Sequence, residues 1–178
     1  MFRYDLKRIA ANQSKLKKIQ SFFISPELQY IYLYRKYNAT NNFILKIILI
    51  VFYRIYSYIF GFQISLKTKI GKGLNINHRG SIVINPNAEL GNNINLHPGI
   101  NIGQENRGER KGAPKIGSEV WIGTNVCIVG KITIGNNVLI ASNSFVNFDI
   151  PSDSVVLGNP GRIIPNKKAT KDYIINRV

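Results

Sequence analysis

Ile116-Gly117-Ser118-Glu119-Val120-Trp121-Ile122-Gly123-Thr124-Asn125-Val126-Cys127-Ile128 returns a branched aliphatic at every sixth residue. The spacing continues forward through Ile134, Ile140 and Val146. Backward, across one break, it runs through Ile100, Ile94, Ala88, Ile82, Ile76, Ile70 and Ile64. Gly follows the aliphatic at Gly71, Gly117, Gly123 and Gly135, and Asn crowds the positions between, as in Gly91-Asn92-Asn93 and Gly135-Asn136-Asn137. A second apolar column stands four residues after the first at Val120, Val126, Ile132 and Val138.

A six-residue period matches neither one face of a helix nor the simple alternation of a strand. It suits a solenoid of short flat strands with a corner in each repeat. The corner needs a residue that tolerates positive φ, which Gly does freely and Asn more than most. One repeat cannot bury its apolar side alone, so coils stack and the ladder points inward, each buried Ile contributing roughly 1.5–3 kcal/mol. An antiparallel protein with regular turns would not hold this phase from Ile64 to Val146.

The pattern resembles the hexapeptide-repeat acyltransferases, and among them the serine acetyltransferases and their polysaccharide O-acetyltransferase relatives. Ile76-Asn77-His78, Ile82-Val83-Ile84-Asn85-Pro86 and Gly158-Asn159-Pro160 carry the likeness, which covers residues 61 to 168. It implies a mainly β protein, a left-handed parallel β-helix with an N-terminal α-helical segment. The chain then divides into a helical region at 1–60, the β-helix at 61–163 and a basic C-terminal tail at 164–178. Within the β-helix, the separation of Ile100 and Ile116 is not a multiple of six. The polar insert from Gln104 to Pro114 should therefore leave the coil as a loop at 104–115.

Composition sets further bounds. The 178 residues suffice for one sizeable core and a modest appendage. A lone Cys cannot form an internal disulfide, and Cys127 beside Ile128 reads as a small buried residue in a reducing cytoplasm. No secretory signal reads from Met1-Phe2-Arg3-Tyr4-Asp5. The net charge is +15; residues 1 to 69 hold twelve Lys or Arg against Asp5 and Glu27, and residues 70 to 178 hold twelve against seven acids. Such a field favours anionic partners such as lipid headgroups or an anionic glycan. Nucleic acid is not expected, since no recognised binding module accompanies the charge.

Ahead of the repeats, residues 4 to 20 read as one basic helix with Leu6, Ile9, Leu16 and Ile19 at helical spacing. Ser25-Pro26-Glu27 starts a second helix that runs to about Tyr37, and Asn41 or Asn42 caps a third from Phe43 to Phe60. The uncharged apolar run Ile47 to Tyr53 is far shorter than the roughly twenty residues a bilayer core requires. Two readings stay open for the third helix: packing on the end of the β-helix and a neighbouring subunit, or an interfacial element against anionic lipid at the inner face of the cell membrane.

Acyl transfer to a hydroxyl needs a group to take the hydroxyl proton, and imidazole does this near neutral pH. The chain has two histidines, His78 and His97, nineteen residues apart and so about one coil. His78 stands thirty-eight residues before Ile116, the spacing the serine acetyltransferases keep between their catalytic His and the first repeat after the loop. It is the expected base. His97 either orients the acceptor, polarises the thioester carbonyl or simply fills a corner.

The resemblance further implies acetyl-CoA as donor, no metal and a homotrimer with the active site between subunits. Acceptor contacts would fall to Gln63, Asn77, Arg79 and Arg110. The pantetheine arm would lie against Gly103, Gly123, Ala141 and Ser142, with Arg162 or Lys167 near the phosphates. Departures from the serine enzymes matter too. Asn77 and Gln63 stand where those enzymes carry acids, and Gly112-Ala113 replaces an Arg-His pair. These changes point to a sugar hydroxyl of a capsular or other surface polysaccharide, with serine as the alternative acceptor. A non-catalytic β-helix scaffold that binds membrane or glycan is the alternative of another class.

Overall fold

The computed structural model describes residues 1–11 and 13–178. Among these residues four helices, α1 (Phe2–Ile9), α2 (Lys15–Ile24), α3 (Pro26–Ala39) and α4 (Phe43–Phe60), precede fifteen short strands numbered along the chain. The strands form three sheets that wrap a triangular parallel solenoid. The first holds β1 (Phe62–Ile64), β4 (Ile82–Ile84), β7 (Ile100–Gly103), β10 (Cys127–Val129) and β13 (Phe145–Val146). The second holds β2 (Lys69–Ile70), β5 (Glu89–Leu90), β8 (Lys115–Ile116) and β11 (Thr133–Ile134). The third stacks β3 (Asn75–Ile76), β6 (Asn95–Leu96), β9 (Val120–Ile122), β12 (Val138–Ile140) and β14 (Ser154–Leu157), and β15 (Arg162–Pro165) closes it antiparallel to β14.

All thirteen ladder residues are buried, as are Val120, Val126, Ile132 and Val138. The register nevertheless differs from a continuous six-residue phase. Phe62 pairs with Ile82 and Ile64 with Ile84, so the first coil is two residues longer than the next, in which Ile82 pairs with Ile100. Both extra residues lie in the corner between β3 and β4. Beyond that corner Ile84, Leu90, Leu96 and Ile102 continue the column of Ile64, Ile70 and Ile76, while Ile82, Ala88, Ile94 and Ile100 belong to the second column. The shift exposes nothing, because residues two apart on a strand share a face. A second break follows β7, where residues 104–114 leave the coil before β8.

At the corner between the second and third sheets, side chains serve the amides of the neighbouring coil. Asn92 Oδ1 accepts from Lys72 N at 3.0 Å, Ser118 Oγ from Asn92 N at 3.0 Å, Asn136 Oδ1 from Ser118 N at 2.7 Å and Ser152 Oγ from Asn136 N at 2.9 Å. Coils approach so closely here that a Cβ on Gly117 would lie 2.6 Å from the Gly135 carbonyl oxygen. That approach explains the Gly after the aliphatic. The core itself is continuous, and Ile128→Ala, at a fully buried rung, should cost about 2–5 kcal/mol through lost burial and a cavity. A fall in the urea midpoint at unchanged slope would report it.

The N-terminal expectations need correction in one place. Residues 4 to 20 do not form one helix; α1 ends at Ile9 and Ser14 Oγ caps α2 by accepting from Lys17 N at 3.3 Å. The caps at Ser25 and Asn42 form as the sequence suggests, accepting from Leu28 N and Leu45 N. The helices cover the open end of the first coil, whose carbonyls lack a preceding coil. Tyr53 donates to Ile64 O at 2.6 Å, Tyr30 to Phe62 O at 3.1 Å, Tyr34 to Thr68 O and Arg35 to Ile70 O at 2.7 Å. Arg8, buried between α1 and the third sheet, donates to the carbonyls of Gly73 and Ile94.

Two further readings change. Cys127 faces outward on β10 and is half-buried, because Ile128 takes the inward position; desolvation raises its thiol pKa. The C-terminal residues are not a free basic tail. Thr170 and Ile174 are buried, Tyr173 O accepts from Asn95 Nδ2 at 3.2 Å and Val178 N donates to Asn93 Oδ1 at 3.0 Å, so the segment lies back across the third sheet.

Candidate active site

His78 occupies the expanded corner between β3 and β4, in the left-handed region at φ 67°. Residues with a Cβ seldom adopt this conformation, though Asn, Asp and His do so more than most. The two added residues push the corner outward, and the imidazole is exposed with no hydrogen-bond partner among the described residues. Gln63 lies on β1 beside Val83 and makes no hydrogen bond to His78. Arg79 is exposed, with its Nε 3.8 Å from Glu27 Oε1 and its guanidinium over the Phe60 ring.

One coil away, His97 is held on both nitrogens. Asn75 Nδ2 donates to Asn77 Oδ1 at 2.9 Å, which fixes the Asn77 amide so that its Nδ2 donates to His97 Nε2 at 3.1 Å. His97 Nδ1 must then carry the proton and donate to Ile122 O at 2.9 Å. Asn77 is thus committed to His97. The pairing of Asn75 with Asn95 explains why, since it sets residue 77 opposite residue 97. The His97 ring also rests against Trp121, centroids 4.5 Å apart, and Trp121 meets Tyr173 edge-on at 5.2 Å. Sequence reasoning missed Trp121 and Tyr173. The single Trp at an outward position of β9 was the available signal.

Burial lowers the His97 pKa and the His78 charge adds to this, while the Ile122 hydrogen bond opposes it. A group depressed in the folded state contributes stability that is present above its ordinary value, here 6.5, and is lost as pH falls through the folded value. Wild-type protein should lose stability on acidification from that point, and His97→Gln should lose less. Thermal melts across the range check this; parallel profiles would count against it.

The edge that carries His78 and His97 joins the third sheet to the first. Gly123, Ala141 and Ser142 follow β9 and β12 along the same edge, and a Cβ on Gly123 would lie 2.7 Å from Ser142 N. Gly123 is buried there, with the Trp121 ring 2.8 Å from the same Cβ position, while Ser142 is exposed. Arg162, opposite Leu157, lies at the same end of its strand. Lys167 does not: its carbonyl accepts from Asn137 Nδ2 at 3.0 Å at the opposite end of the third sheet, so the protomer separates it from the histidines. Gly103 ends β7, and Arg110 stands in the loop with its Nε 3.5 Å from Glu105. Both lie on the edge between the first and second sheets, away from His78 within one protomer.

A cavity of about 960 Å³ lies between α3, α4 and the first coil, and neither histidine lines it. Among the described residues no group of three or more His, Cys, Asp or Glu is placed to hold a metal ion.

Comparison with known proteins adds to this geometry. The pattern of the bacterial transferase hexapeptide family (six repeats) matches residues 113–147. Serine acetyltransferase 2 of Arabidopsis thaliana is 36% identical over 108 residues, 61% of this chain and 33% of that protein. Serine acetyltransferase of Staphylococcus aureus (strain Mu50) is 36% identical over 104 residues, 58% of this chain and 49% of that protein. The chain thus spans a third to a half of the length of these relatives. Among solved structures, the Neisseria gonorrhoeae serine acetyltransferase in complex with serine superposes with a TM-score of 0.72 at 28% identity, covering 92% of this chain and 67% of that one. These likenesses overturn the expectation of a polysaccharide acceptor: the sugar reading rested on the departures at Gln63, Asn77 and Gly112-Ala113, and the similar proteins are serine acetyltransferases all the same. With its repeat signature, its parallel solenoid and these relatives, the chain is a hexapeptide-repeat solenoid similar to the acyltransferases of the left-handed β-helix superfamily.

Proposed function

We propose that the protein transfers acetyl from acetyl-CoA to the hydroxyl of serine. The observation that carries this reading is the exposed imidazole of His78, unpartnered among the described residues, at an enlarged corner of the coil. The repeats around it are more than one-third identical to those of serine acetyltransferases.

His78 acts as the general base. It takes the proton of the serine hydroxyl as the oxygen attacks the thioester carbonyl. The tetrahedral oxyanion collapses, the C–S bond breaks and the imidazolium returns its proton to the departing thiolate. His97, with both nitrogens engaged, is a positioning residue for Asn77 and the corner. Arg79 is exposed and only loosely associated with Glu27, which suits contact with the carboxylate of serine. The pantetheine arm runs along Gly123, Ala141 and Ser142, and Arg162 meets the phosphates.

The active form is a homotrimer. The histidine edge and the loop edge are different edges of one prism, so threefold packing about an axis parallel to the coil stack sets the loop of one protomer beside the histidines of the next. That packing brings Gly103 and Arg110 to the site from a neighbouring protomer.

The test is release of free coenzyme A thiol from acetyl-CoA by the purified protein, with L-serine as acceptor and mass-spectrometric detection of O-acetylserine. Release should depend on serine and saturate with it. Release no faster than background thioester hydrolysis would overturn the reading.

A further inference from the structure

Helix α4 has two unlike faces. Leu49 and Tyr53 are buried against α3 and β1. On the other side, eight apolar residues from Ile44 to Ile59 fill an arc of roughly 140° at 100° per residue, with Ile44, Ile48, Phe52, Ile55 and Ile59 down its length and 45 to 69% exposed. No charge interrupts this arc; Arg54 borders it.

Helix α2 repeats the theme. Leu16, Ile19 and Phe23 are exposed at i, i+3 and i+7, interleaved with Lys15, Lys17 and Lys18. A groove of about 510 Å³ beside it has an apolar floor that includes Phe2, Phe22 and Tyr32, with Lys15 and Lys18 in its wall. The two helices are linked through α3: Gln29 donates to the carbonyls of Phe22 and Phe23 and accepts from Tyr56 on α4.

The charge on this region is one-sided. Residues 1 to 60 hold ten Lys or Arg and two acids. Asp5 is buried against Arg35, and Glu27 accepts from Ser25 and lies near Arg79. Apart from the buried Arg8 and Arg35, the cations, among them Lys15, Lys17, Lys18 and Arg54, have no carboxylate partner among the described residues.

We propose that the α2–α4 side of the molecule docks on an anionic lipid bilayer, with α4 lying in the plane of the interface. Apolar area beside unneutralised Lys and Arg is what a headgroup layer over acyl chains complements. A bilayer-spanning arrangement is excluded by packing, since Tyr53 on α4 is buried and donates to the Ile64 carbonyl of the first coil. A twofold contact with a second copy fits less well. An isologous interface sets a patch against itself, here placing cations against cations with no free acid to answer them, and Lys is depleted from protein interfaces.

The experiment is co-sedimentation of the full chain with vesicles of phosphatidylcholine alone or with added phosphatidylglycerol, at low and at high salt. Binding should be at least about tenfold greater on the anionic vesicles at low salt and should fall as salt screens the attraction. Ile48→Glu with Ile55→Glu should abolish it, and Lys15→Glu with Lys18→Glu should weaken it; all four residues are at the surface, so the variants should melt like wild type. Size-exclusion chromatography should give the same assembly for wild type and the isoleucine pair. Equal binding to both vesicle types, no salt-sensitive binding, or a smaller assembly in the isoleucine pair with no vesicle binding by wild type would each overturn the proposal, the last by assigning the face to a second copy.

Discussion

His78→Ala should lower the rate of serine acetylation by about 10²–10⁴-fold, the range for removal of a general base, and leave the fold intact. The side chain is exposed and makes no hydrogen bond among the described residues, so its loss removes little packing. One complication is the backbone, since φ at this position is 67° and Ala bears the left-handed conformation poorly. His78→Asn separates the two effects, because Asn tolerates positive φ but supplies no base. Both variants should lose activity to the same degree, with the Asn variant melting closer to wild type. If His78→Asn kept substantial activity, the shape of the corner rather than the imidazole would be what matters, and the base would have to be sought elsewhere. Steady-state rates with saturating serine and acetyl-CoA, read beside thermal melts, distinguish these outcomes.

The solenoid was legible because its signal is redundant. Both inward columns are apolar, so a two-residue slip between Ile76 and Ile82 leaves every ladder residue buried and stays invisible to a count of six. That slip is also the most informative feature of the site. It makes the first coil twenty residues long, sets Asn77 opposite His97 and lifts His78 out of the ladder. The loop after β7 was easier to see, since it interrupts the spacing with a polar run.

The site was legible in part. His78 and His97 do share an edge with Gly123, Ala141 and Ser142, as one-coil spacing requires. Lys167 lies apart from the histidines within one protomer because β15 reverses direction and carries the chain to the far side of the third sheet. The return of residues 166–178 across that sheet, with Tyr173 against Trp121, depends on contacts to residues far away in sequence and has no local period. The acceptor was misjudged for another reason. Absent acids and an absent Arg-His pair describe what does not hold a ligand, and an absence at four positions weighs less than similarity across a hundred.

Asp5→Ala should destabilise the protein by about 3–5 kcal/mol, the cost of leaving a buried ion-pair partner alone. Asp5 is fully buried; its Oδ2 accepts from Arg35 Nε at 2.8 Å and its Oδ1 from the Leu74 amide at 2.9 Å. Removing the carboxylate strands the Arg35 guanidinium, which is only 6% exposed, and orphans the Leu74 donor. The same guanidinium donates to the Ile70 and Gly71 carbonyls, so the pair joins α1 and α3 to the open end of the first coil. The double variant Asp5→Leu with Arg35→Met removes both charges, and on the charge argument it should recover much of the loss. Carbonyl capping makes the opposite demand, because Met cannot serve Ile70 and Gly71. Urea unfolding of the single and double variants therefore tells which term dominates: recovery means the stranded cation carries the cost, and no recovery means the helices stabilise the solenoid chiefly by donating to its unpaired end. A loss below about 1 kcal/mol in Asp5→Ala, the level of a surface pair, would show that the helical cap contributes little through this contact.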